Sequence, residues 1–426
     1  MAAPRAGAAL LLALLTRPPG TAARAAKPNF LVLFLDDNGY GDLGANANSV
    51  PAEQMPPYPV GSWKDPTTGK YTPETPHMDA LAASGIRFSD FHVGFSVCTP
   101  SRAALLTGRL CVRTGVCNNF GPYSRHGMAL TERTMADILG EHGYEPHMIG
   151  KWHLGHNNGY HPTYRGFKTY LGLPYSGDMG CLDSTPQACK PSYSRTVGQP
   201  ACPALCPPDS ADARGSGSGF IAGAVDEFYD AGDFFSNQPV AIPLFDSSGP
   251  RCSGHVNCSQ DISQQPFDPF ALNHRYAVRA SEIFSRFKAG GPDAGKPFLL
   301  YVAFAHTHTP LAYQAKYDNA STRPGYQQVF GNTLAEVDGS VGEIMAALES
   351  NGLAEDTLVV LTAGAQRACL PLLCGLLTRA LLADNGPADL PQSDCDDIGS
   401  AGPFLGGWQK SPSGGGGGST WKGTAW

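Results

Sequence analysis

Short, continuous apolar runs alternate with longer segments of helical period along this chain. Asn29 to Leu35 is almost unbroken apolar sequence, the pattern of a strand covered on both faces of a parallel sheet. Pro297 to Phe304 and Thr357 to Thr362 have the same character and are read as buried strands, with His147 to Ile149 and Ile86 to Phe91 as shorter ones. Helices are expected over Thr75 to Ala83, Ser101 to Thr107, Thr134 to His142, Arg275 to Lys288 and Asn332 to Ser350. Residues 50–74, rich in Pro, Gly and Lys, read as a surface insertion. Residues 176–266 have weak periodicity and many turn formers, so mostly loop with short edge strands is expected. Strands alternating with helices predict an α/β domain with a largely parallel sheet. Ligands bind such sheets beyond the carboxyl ends of the strands. Asp36, His308 and the residues after Thr362 lie at such ends.

The first 26 residues have a different pattern. Arg5 supplies a positive start, Ala6 to Leu15 an apolar run, and Ala22 to Ala26 small-residue cleavage positions. This predicts a signal peptide over 1–26 and a catalytic domain over 27–426. A buried N-terminal helix is the rival reading, but nothing amphipathic follows the run. The run is too short to cross a bilayer, and no later stretch resembles a membrane span. A soluble protein of the secretory pathway is expected, in the lysosome or outside the cell.

Composition narrows the function. Of 426 residues, 42% are hydrophobic, enough for a sizeable core. The formal net charge of -7 argues against a nucleic-acid partner, which usually meets a basic face. It does not exclude an anionic substrate, since a local basic pocket suffices. Among 12 cysteines, Cys181, Cys189, Cys202, Cys206, Cys252 and Cys258 cluster in the turn-rich region, as in a loop held by disulfides. Zinc at Cys202 and Cys206 is the competing reading, without an obvious second ligand pair. Asn257-Cys258-Ser259 and Asn319-Ala320-Ser321 are glycosylation sequons that suit the same compartment.

Two segments carry chemistry. Asp36-Asp37 places like charges side by side after a buried strand, which a hard divalent ion would compensate. A solvated turn with helix-capping aspartates would also account for the pair. Cys98-Thr99-Pro100-Ser101-Arg102 sits before a helix, where a lone cysteine could be merely structural. Together with Ala103 to Arg109, however, this segment resembles the sulfatase signature, whose cysteine is converted to a formylglycine aldehyde. Other matches follow in family order. Asp36 to Gly44 resembles the first metal motif, Gly150-Lys151-Trp152-His153-Leu154-Gly155 the second signature, and Tyr175-Ser176 and Ala305 to His308 two active-site segments. Asp384-Asn385-Gly386-Pro387 resembles the second metal motif. The likeness runs from about Lys27 to the end and, within the family, is to the arylsulfatase A and G branch.

The resemblance implies an alkaline-phosphatase-like sulfatase fold, a large, mostly parallel mixed sheet flanked by helices. It implies hydrolysis of sulfate monoesters, either aryl sulfates or sulfated glycans. One calcium ion would be held by Asp36, Asp37, Asp384, Asn385 and the modified Cys98. Arg102 and Lys151 would steady the hydrated aldehyde and the sulfate, with Ser176 and His308 also at the substrate. Attack by one hydroxyl of the hydrate would leave a sulfated enzyme. His153 would then take the remaining proton, while His308 helps protonate the leaving oxygen. The cysteine-converting enzyme is an implied partner.

The sequence departs from the family pattern in two places. Gly364 to Ala383, apolar and Leu-rich, intervenes between Thr362 and Asp384; it is expected to disturb the metal site, the alternative being an extra helix looping back so that Asp384 still reaches the metal. Towards the end, Gly417 stands where the family has a substrate-binding lysine, Lys422 lies beyond Trp421, and the resemblance leads to the expectation that the family's small C-terminal domain is missing. Apolar surface is then expected to be exposed. The departures keep alive a second reading, a catalytically inactive chain of the same fold. A third reading, a phosphatase or phosphodiesterase of the wider superfamily, is opposed by the cysteine motif.

Overall fold

The computed structural model describes residues 27–39, 42–47, 74–88, 93–95, 97–122, 124, 126–182, 241–247, 261–323 and 326–362. The leader, Cys189 to Cys206, Cys252, Cys258, Asn257 and everything from residue 363 onward lie outside them, including Asp384, Asn385 and the Gly364 to Ala383 segment.

In chain order, the principal elements are β1 (Asn29–Phe34), α1 (Pro76–Ser84), α2 (Cys98–Thr107), α3 (Met135–Glu141), β2 (Glu145–Gly150) and β3 (Thr169–Gly172). They continue with β4 (Leu244–Ser247), β5 (Ile262–Gln264), α4 (Leu272–Phe287), β6 (Phe298–Ala303), α5 (Tyr326–Ser350) and β7 (Thr357–Thr362). The strands form a seven-stranded sheet in the order β5-β4-β3-β2-β6-β1-β7. Strands β3, β2, β6, β1 and β7 run parallel, and β4 and β5 add antiparallel at one edge. The α/β class and the mostly parallel sheet expected from the apolar pattern are what the chain forms.

Central strands are apolar throughout because both faces are covered: all of β6 is buried, and so is β1 apart from the half-buried Phe30. One face of α4, through Tyr276, Ala280, Ile283, Phe284 and Phe287, packs into this core, where Phe284 and Phe287 meet the Phe298 ring. Thr134 begins α3 with a capping box, its hydroxyl accepting from Asp137 N–H while the Asp137 carboxylate accepts from Thr134 N–H.

Three expectations need correction. β7 is not a buried strand: its side chains alternate, and Leu358 and Val360 are 53% and 42% exposed. Among the described residues β7 is the sheet's edge, paired on β1 alone. Of the strand expected over Ile86 to Phe91, the described residues Ile86 to Phe88 form no strand and are exposed. Helix α2 starts at Cys98 rather than Ser101. Val97 is extended, and Pro100 falls in the first turn, where no backbone N–H is needed.

Candidate active site

Parallel strands present their carboxyl ends on one edge, and each central strand delivers a polar side chain there. β1 runs into Asp36 and Asp37, β2 into Lys151 and His153, β3 into Ser176, and β6 into His306 and His308. The hydrogen-bond ladder continues past the strands: Lys151 N–H reaches Ala303 O at 2.8 Å, His153 N–H reaches Pro174 O at 3.0 Å, and Thr307 N–H reaches Asp36 O at 2.9 Å. Gly150 permits this crowding. It has φ 104°, and a Cβ there would lie 1.7 Å from Ala303 O. Helix α2 brings Cys98 and Arg102, one turn apart on one face, to the same edge.

All of these side chains are buried. Lys151 Nζ lies 2.6 Å from Asp36 Oδ2, and donates to Cys98 Sγ and Ser176 Oγ, each at 3.2 Å. Arg102 Nη2 is 3.2 Å from Asp36 Oδ1, and its Nη1 donates to the Lys151 carbonyl at 2.5 Å. Both carboxylate oxygens of Asp36 therefore face cations, and Lys151 is the bridge from Asp36 to Cys98. The Cys98 thiol is in no disulfide.

His153 is held at φ 61°, with Nε2 2.9 Å from the Phe120 carbonyl. The proton must sit on Nε2 to make that bond, which leaves Nδ1 as a bare lone pair with no hydrogen-bond partner. Burial, then the Lys151 and Arg102 charges, hold its pKa well below the ordinary value, so the ring is a neutral base. His308 Nε2 lies 3.5 Å from Asp37 Oδ2, and Ser176 Oγ is 3.4 Å from His308 Nδ1. Its pKa is also lowered, by burial first and then by Lys151. Ligand atoms of Asp36, Cys98 and His308 lie within 4.8 Å of one another.

The structure thus brings together the described residues singled out in the sequence: Asp36, Asp37, Cys98, Arg102, Lys151, His153, Ser176 and His308. Several neighbours have no individual sequence signal. Asn119 accepts the Thr99 N–H at 2.8 Å, while Thr99 Oγ1 donates to the His153 carbonyl at 2.7 Å. Buried Asn38 donates towards Thr307 Oγ1 at 3.5 Å, and its Oδ1 has no hydrogen-bond partner. Thr307 Oγ1 faces the carbonyls of both Asp36 and Asp37 at 3.3 Å. Only the folded chain assembles these contacts.

The sulfatase family's sequence profile matches residues 28–364, a span that holds every described residue of this site. The chain belongs to the sulfatase family. Arylsulfatase G of Homo sapiens is 35% identical over 403 residues, which cover 95% of this chain and 58% of that protein. Arylsulfatase A of Homo sapiens is 36% identical over 366 residues, covering 85% and 55%. The chain therefore spans little more than half the length of these curated relatives. Among solved structures, Ps i-CgsB aligns with a TM-score of 0.52 at 23% identity over 80% of this chain and 59% of that one, a likeness of fold. No described helix is long and apolar enough to cross a membrane.

Proposed function

We propose that this sulfatase-family chain hydrolyses sulfate monoesters, aryl sulfates or sulfated glycans, at the cluster around Cys98. The observation that carries the reading is the pairing of Lys151 and Arg102 across Asp36, with the Lys151 ammonium also on Cys98 Sγ. A sulfate monoester brings one negative charge spread over three oxygens of the reacting sulfur, and fixed buried cations stabilise charge there far better than water does. The arylsulfatase relatives support the substrate class.

Cys98 is the residue proposed for conversion to formylglycine, by a separate cysteine-converting enzyme; its Sγ marks the position of the aldehyde oxygen. That aldehyde supplies, once hydrated, both a nucleophilic oxygen and a second hydroxyl through which the enzyme can be regenerated. Donor chemistry at the end of β1 fits a hard divalent ion: the carboxylates of Asp36 and Asp37 are adjacent and buried, and Asn38 adds an unsatisfied amide oxygen. Asp36 and Asp37 would hold calcium, with Asp384 and Asn385 as further ligands, and the ion would add positive charge beside the sulfate.

The chain's own side chains then divide the work. Lys151 and Arg102 hold the nucleophile's position and the sulfuryl oxygens, and Ser176 steadies Lys151 and His308. Nδ1 of His153 accepts a proton from the Cys98-derived group, and His308, whose Nδ1 proton is on the Thr309 carbonyl, takes up a solvent proton on Nε2 and passes it to the departing alcohol oxygen.

The proposal includes a secretory-pathway setting, lysosomal or extracellular. Cys111–Cys117 is a disulfide and Cys181 is disulfide-bonded, which supports an oxidising compartment. Among the described residues, Asn319, exposed at φ 62°, is a sequon asparagine available to carry a glycan.

The test compares chromogenic aryl sulfate with aryl phosphate at mildly acidic pH, using secreted protein and a Cys98→Ala control. Sulfate turnover absent from the control supports the reading, and a preference for phosphate rejects it. A second reading, the same fold without turnover, is favoured by the Leu-rich stretch separating Thr362 from Asp384-Asn385. Protein converted at Cys98 but inactive would select it.

A further inference from the structure

Behind the loop that carries His308 lies a buried polar chain with no part in the proton transfers assigned above. His306 is the first residue of that loop, Asn273 opens α4, and Glu336 lies midway along α5; all three are buried. Asn273 Nδ2 is 2.9 Å from His306 Nδ1 and 3.1 Å from Glu336 Oε2. The other carboxylate oxygen of Glu336 accepts the Gln314 N–H at 3.2 Å. We infer that Glu336 and Asn273 are positioning residues: they fix the proton of His306 on Nε2 and, through that ring, hold the loop that presents His308.

Donors and acceptors along the chain leave one consistent arrangement. Burial raises the Glu336 pKa to about 7; above that pH the carboxylate is ionised and only accepts, so it turns the Asn273 amide until its NH2 faces the junction. The same NH2 then donates to His306 Nδ1, which must be a bare acceptor. Asn273 Oδ1 is left buried without a hydrogen-bond partner, a cost accepted for this orientation. With Nδ1 accepting, the ring's proton is on Nε2, and the bond that His306 makes to the Pro310 carbonyl is donated from there. The ring therefore ties residue 306 to residue 310 across His308. Between them, Thr307 bonds the carbonyls of Asp36 and Asp37. Burial, and then His308, push the His306 pKa down to about 4, so the ring stays neutral. Outer partners that fix a histidine's tautomer in this way tune the residues that meet substrate.

Glu336→Gln makes a sharp test. The introduced amide must keep its oxygen on Gln314 N–H, which turns its NH2 towards Asn273. The Asn273 amide then flips, Oδ1 enters the junction, and His306 has to move its proton to Nδ1, losing Pro310. The measurement is 15N NMR of the histidine-labelled full chain above pH 7, where Glu336 is ionised, with His306→Gln to identify the resonances. Wild type should show a protonated Nε2 and a bare Nδ1, and Glu336→Gln should exchange them. Kinetically, above the same pH, the variant should lose about 10-fold to 100-fold in kcat with KM little changed, and the difference should shrink as Glu336 is protonated in acid. A protonated Nδ1 in wild type overturns the inference, as does an unchanged ring in folded Glu336→Gln; if the variant does not fold, the wild-type ring decides. The kinetic consequence rests on the hydrolase reading, but the ring assignment does not. A wild-type chain with the expected ring and no turnover therefore supports the positioning chain while rejecting the hydrolase.

Discussion

Lys151 Nζ lies 2.6 Å from Asp36 Oδ2, with both side chains almost wholly buried, and the same ammonium reaches Cys98 Sγ at 3.2 Å. The ion pair thus aims a cation at the proposed nucleophile. Lys151→Ala leaves the buried Asp36 carboxylate with Arg102 as a remaining cationic partner, so it should destabilise the fold by less than a fully stranded buried charge would, about 3–5 kcal/mol. It should also cut kcat/KM by at least about 100-fold. Lys151→Arg should not restore turnover, because a planar fork cannot meet Asp36, Cys98 and Ser176 from one point. Urea denaturation and steady-state kinetics on the same samples check both effects.

His153 presents its bare Nδ1 to the site because Nε2 is committed to Phe120. His153→Ala should lower kcat by about 100-fold to 10,000-fold, the usual range for a lost general base. Alcohol should still appear in a rapid first burst, since the base is assigned to the later proton transfer. A burst lost together with steady turnover would contradict that order.

Stability should fall in acid. Burial lowers the pKa values of His147 and His156 to about 4 and of His161 to about 3. Unfolded, these rings take up protons near their ordinary 6.5. Their contribution is therefore complete above pH 6.5 and is lost as pH falls towards 4. Glu336 and Asp338, raised by burial to about 7 and about 6, act in the opposite sense. Their contribution is present below the ordinary carboxylate values and is lost as pH rises through 6 to 7. With His306, also near 4, counted among them, the histidines outweigh the acids by roughly two protons near pH 5.5, about 2.7 kcal/mol per pH unit. The urea midpoint should rise from pH 4.5 to 6.5; a flat or falling midpoint would contradict this balance.

The strands were legible because burial on both faces leaves an apolar run with no polar interruption, as in Phe298–Ala303. The candidate site residues were legible as motifs at strand ends, since Asp36, Lys151 and His308 each follow such a run. Exposure of β7 was not legible, because an apolar run reports strand propensity and not what covers it. The Asn273 and Glu336 contacts were hidden for another reason. Each residue looks like an ordinary polar position on its own helix, and only the packing of α4 and α5 brings them to His306.

Asn319 and Ser321 separate glycosylation from folding. Ser321 Oγ is buried and donates to Glu74 Oε1, and Glu74 also meets Arg323 Nη2 at 2.5 Å. Asn319→Gln and Ser321→Ala should each remove one glycan, seen as a glycosidase-sensitive gel shift. Ser321→Ala alone should also cost about 1–3 kcal/mol, because it leaves a buried acceptor short of a donor. Equal stability of the two variants would mean that the Glu74 bond contributes nothing.

The central claim is that Cys98, held by Lys151, becomes the group that attacks sulfate esters. Secreted preparations can be made with graded conversion of Cys98, scored by the mass of its peptide, and each assayed for aryl sulfate turnover per mole of chain. Turnover should rise in proportion to the aldehyde fraction and extrapolate to zero when Cys98 is all thiol. Turnover independent of that fraction would contradict the account.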